Sequence, residues 1–492
     1  MSPLSIAFDN SYARLPWQFY RACDPTPAPS PELIRFNIPL AKELGIDVSH
    51  LSDQQLATVF SGNQIPAGSE PLALAYAGHQ FGHFVPQLGD GRAVLLGEVI
   101  DRNHRRRDVQ LKGSGRTPFS RGGDGRAPLG PVIREYLVSE AMHALGVPTS
   151  RALAAVSTGE AVIREGAEPG AVLTRVANSH VRVGTFQYFA GHGDSDSVRQ
   201  LADYSMSRHF PETMSEDNPY IELLRSVAFR QAELIAQWMS LGFIHGVMNT
   251  DNTTLSGETL DYGPCAFMDH YDPETVYSFV DAWGRYAYGN QPDISYWNLA
   301  RFAESLLPLL DEDKPHAVEK AKAVLTEYNT LYASAWLERM AARIGINQPR
   351  ESDRELLNEL LAVLAKHRVD FTLFFRRLSH IAAEPEKDGP VAELFSDMSD
   401  WRSWREQWRL RLEQEPMATE QRQVSMLAVN PAIIPRNHRV EAAISAAEKG
   451  DLSLFNAMVE QLGTPFDSRH EDSTLAHPPA PGERVRQTFC GT

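Results

Sequence analysis

The chain has 492 residues, room for about three ordinary domains or one large multi-lobed unit. Its 47 Lys and Arg against 63 Asp and Glu leave a formal charge of −16, which disfavours a general binder of nucleic acid or anionic membrane; any anionic ligand must be held by a local cluster of cations. Apolar residues at 42% and charged residues at 22% are ordinary globular usage and exclude wholesale disorder, collagen-like repeats and fibrous coiled coils.

The first cation is Arg14 and no basic leader precedes a long apolar run, so no secretory signal is expected. No apolar run reaches the roughly 18 residues of a membrane span. Cys23, Cys265 and Cys490 are too few for a disulfide scaffold and suit a reducing compartment, so a cytoplasmic location is expected.

Residues 1–70 are rich in Pro and short polar turns, as in Pro25-Thr-Pro-Ala-Pro-Ser-Pro31, and read as an extension packed on the lobes that follow. Residues 71–170 read as a strand-rich lobe. Its short apolar or alternating runs are Ala93–Ile100, Asp108–Lys112 and Ala161–Ile163, with Ala171–Thr174 just beyond. One helix interrupts them, from Pro131 to Leu145, with Pro131 suited to a first helical position and Gly146 to the cap. Residues 171–330 read as a helix-rich lobe with a catalytic loop. Within it Ile221–Leu241 carries an apolar stripe, and Ser256-Gly257 turns a small hairpin in the irregular stretch Gly242–Asp272. Residues 331–463 form a C-terminal helical region, and the polar, Pro-rich 464–492 reads as a mobile tail carrying Cys490.

This order defines an α+β class with the layout of a two-lobed, protein-kinase-like fold, and it directs attention to four residues. Lys112 ends an alternating strand and shares a face with Gln110. Glu135, on the following helix, is placed to hold Lys112 by an ion pair while the ammonium contacts a nucleotide phosphate. Asn252 and Asp261-Tyr-Gly263 match the metal-binding Asn and Asp-Phe-Gly of kinases, and two such oxygen ligands suit Mg²⁺. Asn252 stands seven residues after His245, as in kinases, but the position two after His245 is Val247, which cannot accept a proton from an acceptor hydroxyl. A different carboxylate, Asp251, lies beside Asn252. Either the usual chemistry is lost or the acceptor approaches from another position.

Two glycine-rich segments either bring backbone amides to phosphates or merely turn the chain: Gln87-Leu-Gly-Asp-Gly-Arg92, with Gly89, Gly91 and Arg92, and Arg121–Pro128, with Asp124 and Gly125. Arg175 and Arg182 are seven residues apart; a helix there would turn both guanidinium groups one way. A reaction that expels pyrophosphate must neutralise more charge than an ordinary kinase does, which gives two extra arginines a task. His79 and His83 have a zinc-like spacing, but Gly78 and Gly82 disfavour a regular helix there and no third ligand completes the site.

The strings at 87–92, 111–121, 123–127, 245–252 and 260–265 resemble the selenoprotein O (SelO) family of pseudokinases, and the similarity runs over nearly the whole chain. The resemblance implies a kinase-like fold that binds ATP inverted relative to ordinary kinases and transfers AMP to Ser, Thr or Tyr hydroxyls of proteins, with self-modification as a further option. It implies that Lys112, Arg175 and Arg182 grip the phosphates that leave as pyrophosphate, with Glu135 positioning Lys112. Gly89, Gly91, Arg92, Asp124, Gly125 and Asp261 become further nucleotide contacts. Asn252 and Asp261 would hold Mg²⁺ or Mn²⁺, and Asp251 becomes the base. Cys265 and Cys490 resemble the family's redox pair, with Cys490 in place of the selenocysteine of animal members. The alternatives are a protein or small-molecule kinase with an unusual base, UMP transfer from UTP, and a non-catalytic nucleotide-binding scaffold. No nucleic-acid or membrane partner is expected.

Overall fold

Alternation along Asp108–Lys112 has the expected consequence: Val109 and Leu111 enter one apolar core, while Gln110 and Lys112 face the other way and find polar partners. The computed structural model describes residues 4–383 and 389–488, and its architecture is mixed α and β. The chain supplies β1 (Tyr20–Ala22), β2 (Glu32–Phe36), β3 (Leu72–Leu74), β4 (Gly78–Gln80), β5 (His83–Val85), β6 (Ala93–Ile100), β7 (Arg106–Lys112), β8 (Ala127–Pro128), β9 (Arg151–Ile163) and β10 (Ala167–Ala177). All but β4 and β5 form one antiparallel sheet in the spatial order β1-β3-β6-β7-β10-β9-β2, with β8 joined to β10. β4 and β5 make a separate hairpin.

The N-terminal residues are part of this sheet, since β1 and β2 are its two edges and Leu4 and Ile6 lie in the core under β6 and β7. β1 and β2 are three and five residues long, too short for a periodic signal. Most of β9 also gave no signal: Arg151–Val156 is buried throughout and Ala-rich, so it lacks alternation and has Val156 as its single β-branched residue.

Two short helices, α1 (Ile38–Glu43) and α2 (Asp53–Phe60), cover one face of the sheet. α3 (Leu129–Ala144) covers the other, packing Val132, Ile133, Tyr136 and Leu137 against Ala152, Ala155, Ala171 and Leu173. It begins two residues before the expected Pro131, after Pro128, and Gly146 follows it with φ +80°. Beyond the sheet come α4 (Val183–Gly191), α5 (Ser195–His209), α6 (Pro219–Leu241), α7 (Gln291–Leu310) and α8 (Lys314–Arg343). α6 takes Asn218 as its N-cap and ends on Gly242 in the left-handed conformation. Its apolar stripe packs on α7 and α8 through Leu224, Val227, Leu299 and Phe302.

The segment from Arg175 to Arg182 is not helical. Arg175 lies on β10, which runs to Ala177, and Arg182 is the residue before α4. The sheet continues through Arg175 because Arg175 and Val176 pair with Gln110 and Val109 of β7.

After α6, β11 (Phe243–Ile244) pairs with β12 (Ala266–Phe267), which clamps the ends of the loop 245–265. The turn at Ser256-Gly257 is present, closed by a single bridge between Thr253 and Thr259. Further helices follow, among them Ser399–Leu412, whose Trp401, Trp404 and Trp408 stack in sequence at 5.6 and 5.8 Å in the buried core. The stretch 464–488, expected to be mobile, is packed: Leu475 and Ala476 are buried beside α3's core, and buried Arg436 donates to the carbonyl of Ala476. Cys490 lies outside the described residues. Among the described residues no helix is long and apolar enough to cross a membrane.

Candidate active site

A cleft of about 600 Å³ opens between the sheet and the loop 245–265. Lys112 at the end of β7 and Arg175 on β10 reach into it from one sheet face. Lys112 Nζ donates to Glu135 Oε2 and to Asp261 Oδ1, both at 2.7 Å. Arg175 Nε donates to Glu135 Oε1 at 2.7 Å, and its Nη2 to Asp261 Oδ1 at 2.6 Å. Arg182 stands 3.6 Å from Asp261 Oδ2 and 3.7 Å from Asp90 Oδ1, and lies over the ring of Tyr76 with its guanidinium carbon 4.5 Å from the ring centroid. Three cations thus converge on Asp261, with Glu135 shared by Lys112 and Arg175, and Asp90 beside Arg182.

Burial alone would raise the proton affinity of Asp261 and Glu135. The adjacent cations outweigh it, so Arg175, Lys112 and Arg182 hold Asp261 well below the usual carboxylate range, and Arg175 and Lys112 hold Glu135 low. Asp261 also has a left-handed backbone, φ +66°, which Asp tolerates better than most residues. The next residue anchors the turn, since the buried Tyr262 hydroxyl hydrogen-bonds Thr149 Oγ1.

Asp251 lies in a one-turn 3₁₀ segment, Thr250–Asn252. Arg182 Nη1 donates to its backbone carbonyl at 2.9 Å, and Gln80 Nε2 to its Oδ2 at 3.1 Å. Burial pushes its carboxyl up to about 6, against the smaller opposing pull of Gln80 and Arg182. Asn252 donates from Nδ2 to the Val247 carbonyl at 3.0 Å, so its amide oxygen is the end left for a ligand.

Asn252 and Asp261 line the same cleft. Among the described residues no three His, Cys, Asp or Glu side chains gather as a metal cluster. One amide oxygen and one carboxylate fit Mg²⁺, which completes its shell with phosphate oxygens and water.

The remaining expected residues divide. Gly89, Gly91, Arg92, Asp124 and Gly125 all line the cleft. Asp124 is engaged, however: its carboxylate takes two hydrogen bonds from Arg164, at 2.9 and 3.0 Å, and caps the backbone of Arg126. Gly125 has φ +69°, and a Cβ there would lie 2.0 Å from the carbonyl oxygen of Gly115. Glu135 stands behind the cations. Cys265 is buried beyond Gly263, and Thr488 Oγ1 donates to the carbonyl of its neighbour Pro264 at 2.6 Å.

Sequence reasoning missed Tyr76, Gln80 and Asp90. Asp90 sits inside the Gly89–Gly91 string; it is buried, accepts from Gln110 Nε2 at 3.1 Å and the Leu74 amide, and has its carboxyl raised by burial. Its place between two glycines was the available signal. Tyr76 and Gln80 carry none.

A cleft that sets three cations and two metal-suited oxygens beside a separate buried carboxylate belongs to an enzyme acting on a phosphate-bearing nucleotide. The profile of the family described as "Protein adenylyltransferase SelO" matches residues 3–463. The chain is 57% identical over 489 residues to the "Protein nucleotidyltransferase YdiU" of Rhizobium meliloti (strain 1021), covering 99% of this chain and all of that one. It is 58% identical over 488 residues to the protein of the same name in Rhizobium rhizogenes, covering 99% and 97%, and 56% identical over 486 residues to that of Rhodopseudomonas palustris (strain BisB5), covering 99% of each. The chain belongs to the SelO family and is a protein nucleotidyltransferase.

Proposed function

We propose that the enzyme transfers AMP from ATP to Ser, Thr or Tyr hydroxyls of proteins, releasing pyrophosphate, on a kinase-like two-lobed fold. The observation that carries this is the convergence of Lys112, Arg175 and Arg182 at one end of the cleft, with Arg182 also bound to the backbone of Asp251. Such a trio suits the two phosphates that depart as pyrophosphate, leaving the α-phosphorus toward Asp251. The sheet with α3 serves as the smaller lobe and α4–α8 as the larger.

The acceptor oxygen attacks the α-phosphorus and a new O–P bond forms. The hydroxyl proton passes to Asp251, whose buried carboxyl binds a proton more readily than an exposed one. The bond from the α-phosphorus to the bridging oxygen breaks, and its electron pair leaves with pyrophosphate, whose charge Lys112, Arg175 and Arg182 neutralise. Asn252 and Asp261 are the residues that would hold Mg²⁺ or Mn²⁺. A bound divalent cation supplies charge neutralisation at the phosphates. Val247, in the place of the usual kinase aspartate, offers no side-chain acceptor; its carbonyl accepts from Asn252 and its amide donates to His245 Nδ1.

Paired labelling tests the reading. With α-³²P-ATP, label appears on protein; with γ-³²P-ATP it does not. Label from the γ-position alone would make the enzyme a kinase, and label from neither, with ATP still bound, a scaffold.

A further inference from the structure

The β4–β5 hairpin has no counterpart in the reaction as described, yet it is docked on the loop that carries Asp251. Three successive hairpin residues hold three successive loop residues. The His79 amide donates to Thr250 Oγ1 at 2.7 Å, Gln80 Nε2 to Asp251 Oδ2 at 3.1 Å, and the Phe81 amide to Asn249 Oδ1 at 3.1 Å. Gln187 closes the arrangement, accepting from Thr250 Oγ1 at 2.6 Å and meeting His79 Nδ1 at 2.8 Å.

The turn itself is costly. Phe81 and Gly82 both have positive φ, +51° and +86°, as a two-residue hairpin turn requires, but Phe81 lacks the freedom of a glycine there. The two oxygens of Asp251 are treated differently. Oδ2 is fixed by Gln80, whereas Oδ1 is buried and has no hydrogen-bond partner among the described residues. Leaving a buried carboxylate oxygen unpaired is unfavourable, so the orientation of Asp251 is held by its other contacts, those to the hairpin and to Arg182. Gly78 permits this close approach: a Cβ on Gly78 would lie 2.6 Å from Asp251 Oδ1.

We infer that the β4–β5 hairpin is a positioning device for Asp251, in which Gln80 pins Oδ2 and the bare Cα of Gly78 lets the carboxylate seat against β4, so that the side chain is held in one orientation toward the acceptor's hydroxyl. This rests on the reading of Asp251 given above. Gln80 and Gly78 are positioning residues: they act on the acceptor side of the cleft, through Asp251, and not on the phosphates.

Gln80→Met keeps the length and bulk of the side chain but removes its amide, and with it the donor to Asp251; Gly78→Ala places a methyl against Oδ1. Initial rates of α-³²P-ATP incorporation into the enzyme and the soluble proteins of a bacterial lysate are measured for both variants and for Asp251→Ala, with melting temperatures. The expected result is a fall in kcat of about 10- to 100-fold for Gln80→Met and at least as much for Gly78→Ala. KM for ATP and the melting temperature of Gln80→Met stay at their wild-type values. Wild-type kcat in Gln80→Met, or a fall accompanied by an equal rise in KM for ATP or by a lowered melting temperature, overturns the inference. Asp251→Ala separates the two claims. If it is inactive while Gln80→Met is fully active, only the positioning role is lost; if it retains wild-type activity, Asp251 is not the base and the inference falls with it.

Discussion

Lys112 and Arg175 are diagonal neighbours on one face of the β7–β10 pair, Lys112 opposite Leu173 and Arg175 opposite Gln110, and both bind the same two carboxylates, Glu135 and Asp261. Two like charges that close on a sheet repel each other. Glu135, delivered from α3 on the same side, offsets that repulsion by giving one oxygen to each.

Removing Glu135 leaves two largely buried cations short of a partner. Glu135→Ala is expected to destabilise the protein by about 3–5 kcal/mol, the usual loss when one member of a buried ion pair is deleted. Thermal or urea unfolding measures it. An unchanged midpoint would show that Asp261 alone suffices to hold both cations.

Asp261 has two opposed effects on the nucleotide. In the proposed reading it is a ligand suited to the metal, and its ion pairs with Lys112, Arg175 and Arg182 compete with the phosphate oxygens for these cations. Asp261→Asn is therefore expected to lose transfer activity while binding ATP in the presence of a chelator at least as tightly as wild type. Calorimetric titration of ATP with EDTA, alongside the labelling assay, checks both halves. Weaker chelator-condition binding would contradict the competition.

The glycine loop admits a sharper test than charge. At Gly125 a methyl group meets both a left-handed backbone and the carbonyl of Gly115. Gly125→Ala is expected to raise KM for ATP by displacing the loop along the cleft, with a smaller effect on kcat. Wild-type KM would remove this loop from the nucleotide site.

Away from the cleft, Glu258 is buried and its carboxyl is raised from 4.5 to about 7, chiefly by burial, with Arg107 at 3.8 Å giving only part compensation. The folded protein thus holds this proton more tightly than the unfolded chain, and its contribution to stability declines as pH rises from about 4.5 to about 7. The full change is on the order of 3 kcal/mol. Glu258→Gln, which keeps an acceptor for the Asn178 amide, is expected to flatten melting temperature against pH over that window. An unchanged slope would place the titrating group elsewhere.

Much of this was present in the residue order. The alternation at 109–112 fixed which face Lys112 takes, the helix expected from Pro131 put Glu135 within reach, and the strings around Asn252, Asp261 and the glycines pointed to a nucleotide, because these are local patterns whose period or composition states their conformation. The helical option for Arg175 to Arg182 failed because strand pairing with β7, a long-range contact, overrode a short-range spacing. β1, β2 and most of β9 were silent for the same reason: a strand three residues long, or one buried on both faces, is defined by its neighbours and not by its own sequence. Tertiary structure alone decided that Arg182 joins the cation end of the cleft to Asp251. It alone decided that Gln80 and Gly78, about 170 residues earlier in the chain, touch that carboxylate, since no short-range property of a glutamine or a glycine says which distant side chain it will meet.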